Sequence, residues 1–103
     1  MSLEFPALLE CRYELQKGTA TVQGSGRTVS MSSTEVCFEC DTPVPEGATG
    51  TVTVKWPVLL QGRCGLNLVL KGRILRVQPG AAALRFQWYE FRTRGKAAAG
   101  PGG

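Results

Sequence analysis

Three groups of residues in this chain are of types that do chemistry. The first is Gly26 to Cys40, which reads Gly-Arg-Thr-Val-Ser-Met-Ser-Ser-Thr-Glu-Val-Cys-Phe-Glu-Cys. Ser30, Ser32 and Ser33 carry short hydroxyls that bond nearby backbone and turn the chain. Two outcomes follow. Either the corner is a solvated bend that satisfies itself, or its hydroxyls and amides, beside Arg27, hold a small anion. The second group is Cys37-x-x-Cys40, a spacing used by metal and redox sites. Cys11 and Cys64 stand alone and the chain has no histidine, so no four-ligand zinc pattern is completed. In a strand, residues three apart point to opposite faces, which also separates the two thiols. They read as buried or half-buried cysteines of a reducing cytoplasm. The third group is Arg85, Trp88, Tyr89, Phe91, Arg92 and Arg94, a mixture of cations and rings of the kind that stacks single-stranded nucleic acid.

Enzyme chemistry finds little support. No histidine, no site-like pair of carboxylates and no nucleophile beside a visible base is present. The 103 residues suit one domain, and 43% hydrophobic with 19% charged residues suits a globular fold. A net charge of +4 favours an anionic small ligand or an acidic partner surface and is too small to establish nucleic-acid binding. The basic residues crowd the second half, where Arg63, Lys71, Arg73, Arg76, Arg85, Arg92, Arg94 and Lys96 all lie. No run approaches the roughly 18 apolar residues of a membrane span, and the start lacks a basic-then-apolar leader. Met1-Ser2-Leu3 has the form of a vector-derived start, which implies native residues upstream.

Stepping along the chain, Leu8 to Leu15 alternates, with Leu9, Cys11, Tyr13 and Leu15 on one face. Gly18 to Gln23 is a further extended piece, closed by a Gly24-Ser25-Gly26 turn. Arg27 to Met31 and Val36 to Cys40 flank the hydroxyl corner, and Val36, Phe38 and Cys40 face the core. Asp41 to Gly50 is a loop. Thr51 to Trp56 turns Val52, Val54 and Trp56 inward, and Pro57 ends it for want of a ladder donor. Residues 58–65 form a second loop. Leu66 to Val77 is the longest run, with Leu66, Leu68 and Leu70 on one face and Leu75 and Val77 on the other. A bulge at Gly72 accounts for that switch. After a Pro79-Gly80 turn, Ala81 to Trp88 places Leu84, Phe86 and Trp88 on one face, and Tyr89 to Arg94 is an aromatic-basic exit. Trp56-Pro57 and Trp88-Tyr89 read as barrel-closing core and rim. Residues 95–103 have the composition of a disordered tail. No segment has a helical period. Six or seven short strands between Gly/Pro turns give an all-β barrel or sandwich.

The run Gly-Arg-Thr-Val-Ser-Met-Ser-Ser-x-x-Val-Cys-Phe-Glu resembles the PilZ domain family. So do Pro-Val-Pro-Glu-Gly-Ala, Val-Lys-Trp-Pro, Leu-Lys-Gly-Arg-Ile-Leu-Arg and Ala-Ala-Leu-Arg-Phe leading into Tyr-Glu-Phe-Arg-Thr-Arg. The likeness spans residues 5–94 in order. It implies a small six-stranded antiparallel β-barrel over residues 8–94, preceded by an N-terminal segment of residues 1–7, in a bacterial cytoplasmic protein of cyclic di-GMP signalling. That family holds its ligand with an RxxxR pair just before the first strand and with [D/N]xSxxG at the corner. Guanidinium forks suit phosphate oxygens and a guanine edge.

Carried over position by position, Ser30 takes the Asp/Asn place, Ser32 matches the Ser, and Glu35 replaces the Gly. The arginine pair falls at or before residue 5, where this chain has Met-Ser-Leu-Glu-Phe. Arg12 lies inside the first strand with Gln16 four residues on, so it makes no substitute pair. Arg27 is the nearest cation to the corner in sequence. A carboxylate about 5 Å from a phosphate is unfavourable by roughly 3 kcal/mol at an effective dielectric near 20. Micromolar binding amounts to only about 8 kcal/mol. The expectation is a degenerate PilZ-like domain with weak or no cyclic di-GMP binding, no cofactor, no metal, and a protein partner met through residues 89–94. The alternatives are a cyclic di-GMP receptor whose arginines lie upstream, and a small basic barrel for single-stranded nucleic acid.

Overall fold

The computed structural model describes residues 8–60 and 64–93, which leaves outside it the 1–7 segment, Arg94, the 95–103 tail and the place of the RxxxR pair. Six strands follow in order: β1 Glu10–Lys17, β2 Ala20–Met31, β3 Glu35–Glu39, β4 Thr49–Leu60, β5 Cys64–Gln78 and β6 Ala81–Thr93. Every pairing is antiparallel. The order around the sheet is β1-β2-β3-β6-β5-β4, and β4 pairs back onto β1 to close a barrel. The all-β architecture expected from the alternation, and the six-stranded antiparallel barrel that the resemblance implies, are what the chain forms.

Alternation explains the interior directly. Cys11, Tyr13 and Leu15 from β1, Val36 and Phe38 from β3, and Val52 and Val54 from β4 are buried together. Leu68, Leu70 and Ile74 from β5 meet Ala82, Leu84 and Phe86 from β6 in the same cluster. Two loop residues, Val44 and Ala48, plug the barrel from the 41–48 connection. That loop is held to β5 by Gly47 N–H to the Ile74 carbonyl at 2.9 Å and Ile74 N–H to the Ala48 carbonyl at 2.8 Å. Gly18 (φ 63°) and Gly80 (φ 76°) occupy the left-handed conformation in the two tightest hairpins.

Several boundaries differ from the sequence reading, among them the loop ends, since Thr49–Gly50 belongs to β4 and Cys64–Gly65 to β5. Gly24-Ser25-Gly26 is not a turn: β2 runs unbroken through it, and the chain reverses earlier, at Gly18-Thr19. The glycines serve close approach instead, because a side chain on Gly24 would meet the Tyr13 ring and one on Gly26 the Glu39 carbonyl. Pro57 does not end β4, which continues to Leu60, and 58–60 is strand rather than loop. The missing N–H falls where the β4–β5 register shifts between Trp56 and Leu60, so no regular ladder bond is lost there. Residues 81–93 form one strand, not a strand and an exit.

The last two corrections concern bulges. Lys71 pairs with Trp88 and Gly72 with Phe86, so the extra residue is Gln87, on β6. The β5 bulge comes later, at Leu75, between the Ile74↔Leu84 and Arg76↔Ala83 pairs. Ile74 therefore keeps the inward parity of Leu68 and Leu70, and it is buried while Val77 is exposed. Beyond Gln87 the parity of β6 inverts. Trp88 leaves the face of Leu84 and Phe86 for the outer surface, and the core packing expected of it is not made.

Candidate functional site

The hydroxyl corner is the three-residue link Ser32-Ser33-Thr34 between β2 and β3. The Ser32 hydroxyl accepts the Thr34 N–H at 3.2 Å and the Glu35 N–H at 3.1 Å. The Ser32 N–H in turn donates to the Glu35 carbonyl at 2.8 Å. This is a short-polar-residue turn closing on itself, and it engages the Ser32, Thr34 and Glu35 amides within the turn. The Thr34 carbonyl accepts the Phe86 N–H at 2.9 Å, which staples the corner to β6. Ser30 lies half-buried in β2 opposite Cys37, one residue past an irregularity in the β2–β3 register.

Glu35 opens β3 and faces the outer surface. Its Oε1 lies 3.0 Å from Arg76 Nη2. The bond and charge of Glu35 push the Arg76 guanidinium above its ordinary range. Glu35 thus has a cation of its own from β5. Arg27 and Arg12 belong elsewhere: Arg27 pairs in register with Glu10, and Arg12 sits between Ser25 on β2 and Thr53 on β4. Of the five motif candidates, Ser32 and Glu35 share the corner and Ser30 lies beside it. The two arginines are on the β1–β2 side of the barrel.

An open groove of about 810 Å³ crosses the outer faces of β2, β1, β4 and β5 and includes Arg12, Glu14, Thr51, Asn67 and Lys71 but not the other four candidates. At one end Tyr13 donates its hydroxyl to Asp41 Oδ1 at 2.7 Å and accepts the Thr42 N–H at 3.2 Å. Asp41, which the sequence marks only as a turn former, is therefore the end of a buried phenol's hydrogen-bond chain. Burial, then the Asp41 bond, keep Tyr13 protonated beyond its ordinary 10.0. The Tyr13 bond holds the Asp41 carboxyl below its ordinary 3.8. A carboxyl lowered on folding stabilises the native state above its unfolded value and loses that contribution as pH falls through the folded one. Tyr13→Phe is accordingly expected to flatten the decline of the thermal midpoint between about pH 5 and pH 2, read by circular dichroism.

No protein-family model, curated protein or solved structure matches this chain. Its own geometry carries the functional reading. Burial pushes the Cys11 thiol up to about 11, so it is a core group rather than a nucleophile. Among the described residues no cluster of three His, Cys, Asp or Glu side chains could hold a metal ion, and no helix is long and apolar enough to cross a membrane.

The aromatic-basic group of β6 is divided by the Gln87 bulge. Trp88 and Arg92 pair with Lys71 and Asn67 on the outer face, while Tyr89 and Phe91 pair with Leu70 and Leu68 on the inner one. At the barrel mouth Phe91 meets Trp56 edge-on at 5.3 Å and Tyr89 meets Phe86 at 6.4 Å, yet Tyr89 is 61% and Phe91 48% exposed. The sequence missed a second feature. Arg73 on β5 and Arg85 on β6 are direct cross-strand partners on the outer face. No local pattern reveals this, because it depends on the register set by the bulges on both sides.

Proposed function

We propose that this chain is a PilZ-like barrel of bacterial cytoplasmic signalling that has lost the clamp for cyclic di-GMP and serves as a regulatory protein-interaction module. The observation that carries the reading is the self-satisfied corner. Where the family's motif calls for a glycine that admits ligand, this chain has a carboxylate paired with Arg76, beside a serine hydroxyl that fixes the turn. A cyclic dinucleotide entering there displaces those bonds and meets the Glu35 charge.

Support for a protein partner comes from Tyr89 and Phe91, two rings left largely exposed at the end of β6. Large apolar side chains standing out at one rim are the usual anchors of protein interfaces. The nucleic-acid reading draws less support, since the rings of β6 fall on opposite faces and Trp88 already has the Lys71 ammonium 4.7 Å from its ring centroid. Successive bases need a row of free rings on one surface.

Isothermal titration with cyclic di-GMP is the test. The expected result is no saturable heat at ligand concentrations to about 100 μM, and the paired substitutions Ser30→Asp and Glu35→Gly remain silent because the arginine clamp is still missing. A dissociation constant in the low micromolar range or tighter sinks the reading.

A further inference from the structure

On the outer face of β5 and β6 lies an open groove of about 540 Å³, lined by Thr49, Lys71, Arg73, Arg85, Gln87 and Trp88 among others. We infer that this groove is the docking site for an extended acidic segment of a partner protein, with carboxylates at alternate positions. The inference deepens the interaction-module reading and rests on it.

The first argument is electrostatic conflict. Like charges directly opposite one another across an antiparallel pair destabilise a sheet, yet Arg73 faces Arg85. Lys71, two residues along β5, adds a third cation to the same groove. Among the described residues none of the three has a carboxylate within ion-pair distance. The neighbouring acids are otherwise engaged or remote. Glu35, in register with Arg85 on β3, is held by Arg76. Glu90 is bonded to Arg92, and Glu14 is separated from Lys71 by the Thr51 strand. A like-charge pair that only Glu35, already shared with Arg76, offsets inside the molecule points to compensation from outside it.

The second argument is spacing. Residues two apart on a strand stand roughly 6.7 Å apart on one face, so Lys71 and Arg73 match carboxylates at positions i and i+2 of an extended peptide. Arg85 closes on the second carboxylate from the neighbouring strand, about 5 Å away, where guanidinium forks bond both oxygens. Trp88, 39% exposed beside Lys71, offers an apolar edge at the groove's end. One ring, already covered by an ammonium, favours a peptide over a run of stacked bases.

Fluorescence anisotropy with a labelled octapeptide of alternating Glu and Thr reads this directly, alongside a Lys/Thr octapeptide and a twelve-residue oligothymidylate. The Glu/Thr peptide is expected to bind and the Lys/Thr peptide not to. Arg73→Gln and Arg85→Gln should each weaken binding by about tenfold. Both variants should melt at or above the wild-type temperature, since each relieves the repulsion, which separates lost binding from lost fold. Unchanged peptide affinity in both variants overturns the inference. So does oligothymidylate binding tighter than the peptide and weakened by Trp88→Ala, which makes the groove a nucleic-acid surface. A cyclic di-GMP isotherm reports on the corner and is insensitive to Arg73→Gln, so failure of the clamp-less reading and failure of this one are told apart.

Discussion

Gly72→Ala is expected to destabilise the barrel by about 3 kcal/mol or more, a fall in thermal midpoint of roughly 15 °C. Alanine ordinarily suits a strand interior better than glycine, by roughly 0.5–1 kcal/mol. The sign reverses here because a methyl group on Gly72 overlaps the Arg85 carbonyl and crowds the Phe86 Cα, all backbone. Nothing in that neighbourhood can rotate aside. β5 and β6 must separate beside the Gln87 bulge, where the two strands share their longest ladder. Gly80→Ala is the matched control. Its φ of 76° disfavours a side chain, but nothing lies within 4 Å. Its cost should stay near 1–2 kcal/mol, the left-handed penalty alone. Thermal melts of the two variants decide the matter, and a Gly72→Ala midpoint at or above wild type removes the close approach.

Phe38→Ala should cost about 4 kcal/mol, the sum of a lost aromatic transfer and the cavity left behind. Phe38 is wholly buried on β3, and its ring centroid is 5.4 Å from that of Tyr13 on β1. Its strand partners are Thr28 and Ala82, the latter too small to fill the space. The loss reaches beyond β3. Tyr13, whose hydroxyl bonds Asp41, packs against that ring, so the 41–48 loop with its plugs Val44 and Ala48 is expected to loosen as well. Phe38→Leu retains most of the volume and should cost roughly 1.5 kcal/mol. Urea unfolding of both variants measures the difference. Equal losses in the two would mean that the barrel interior closes over the gap.

Wherever a period of two was unbroken, the strands were legible in the residues. Leu9 to Leu15, Val36 to Cys40 and Thr51 to Trp56 each show it, and each packs inward as the alternation requires. The exceptions have specific causes. Gly24-Ser25-Gly26 has the composition of a turn, but it is strand because it pairs with Cys11 to Tyr13 of β1, with Tyr13 over one glycine and the Glu39 carbonyl over the other. Leu75 and Ile74 are adjacent and equally apolar, so composition does not say which turns inward. A single unpaired residue, Leu75, decides it. The inversion at Gln87 is of the same kind, and it sends Trp88 outward and Tyr89 toward the barrel mouth.

The candidate site divides along the same line. Ser32 and Glu35 could be named from the chain because a short-polar-residue corner is a local matter, satisfied within four residues. Their pairing state could not, since Arg76 lies forty-one positions away and reaches Glu35 only through the β3–β6–β5 order.

By itself, then, the order of residues determined an all-β chain, the faces of its regular strands, the position of a hydroxyl corner and an excess of cations in the second half. The tertiary structure alone decided that the corner is closed upon itself and that Arg73 stands against Arg85. The reason is physical: side-chain direction follows from each residue's immediate neighbours, whereas register across a ladder is fixed by bulges and close contacts between strands distant in the chain.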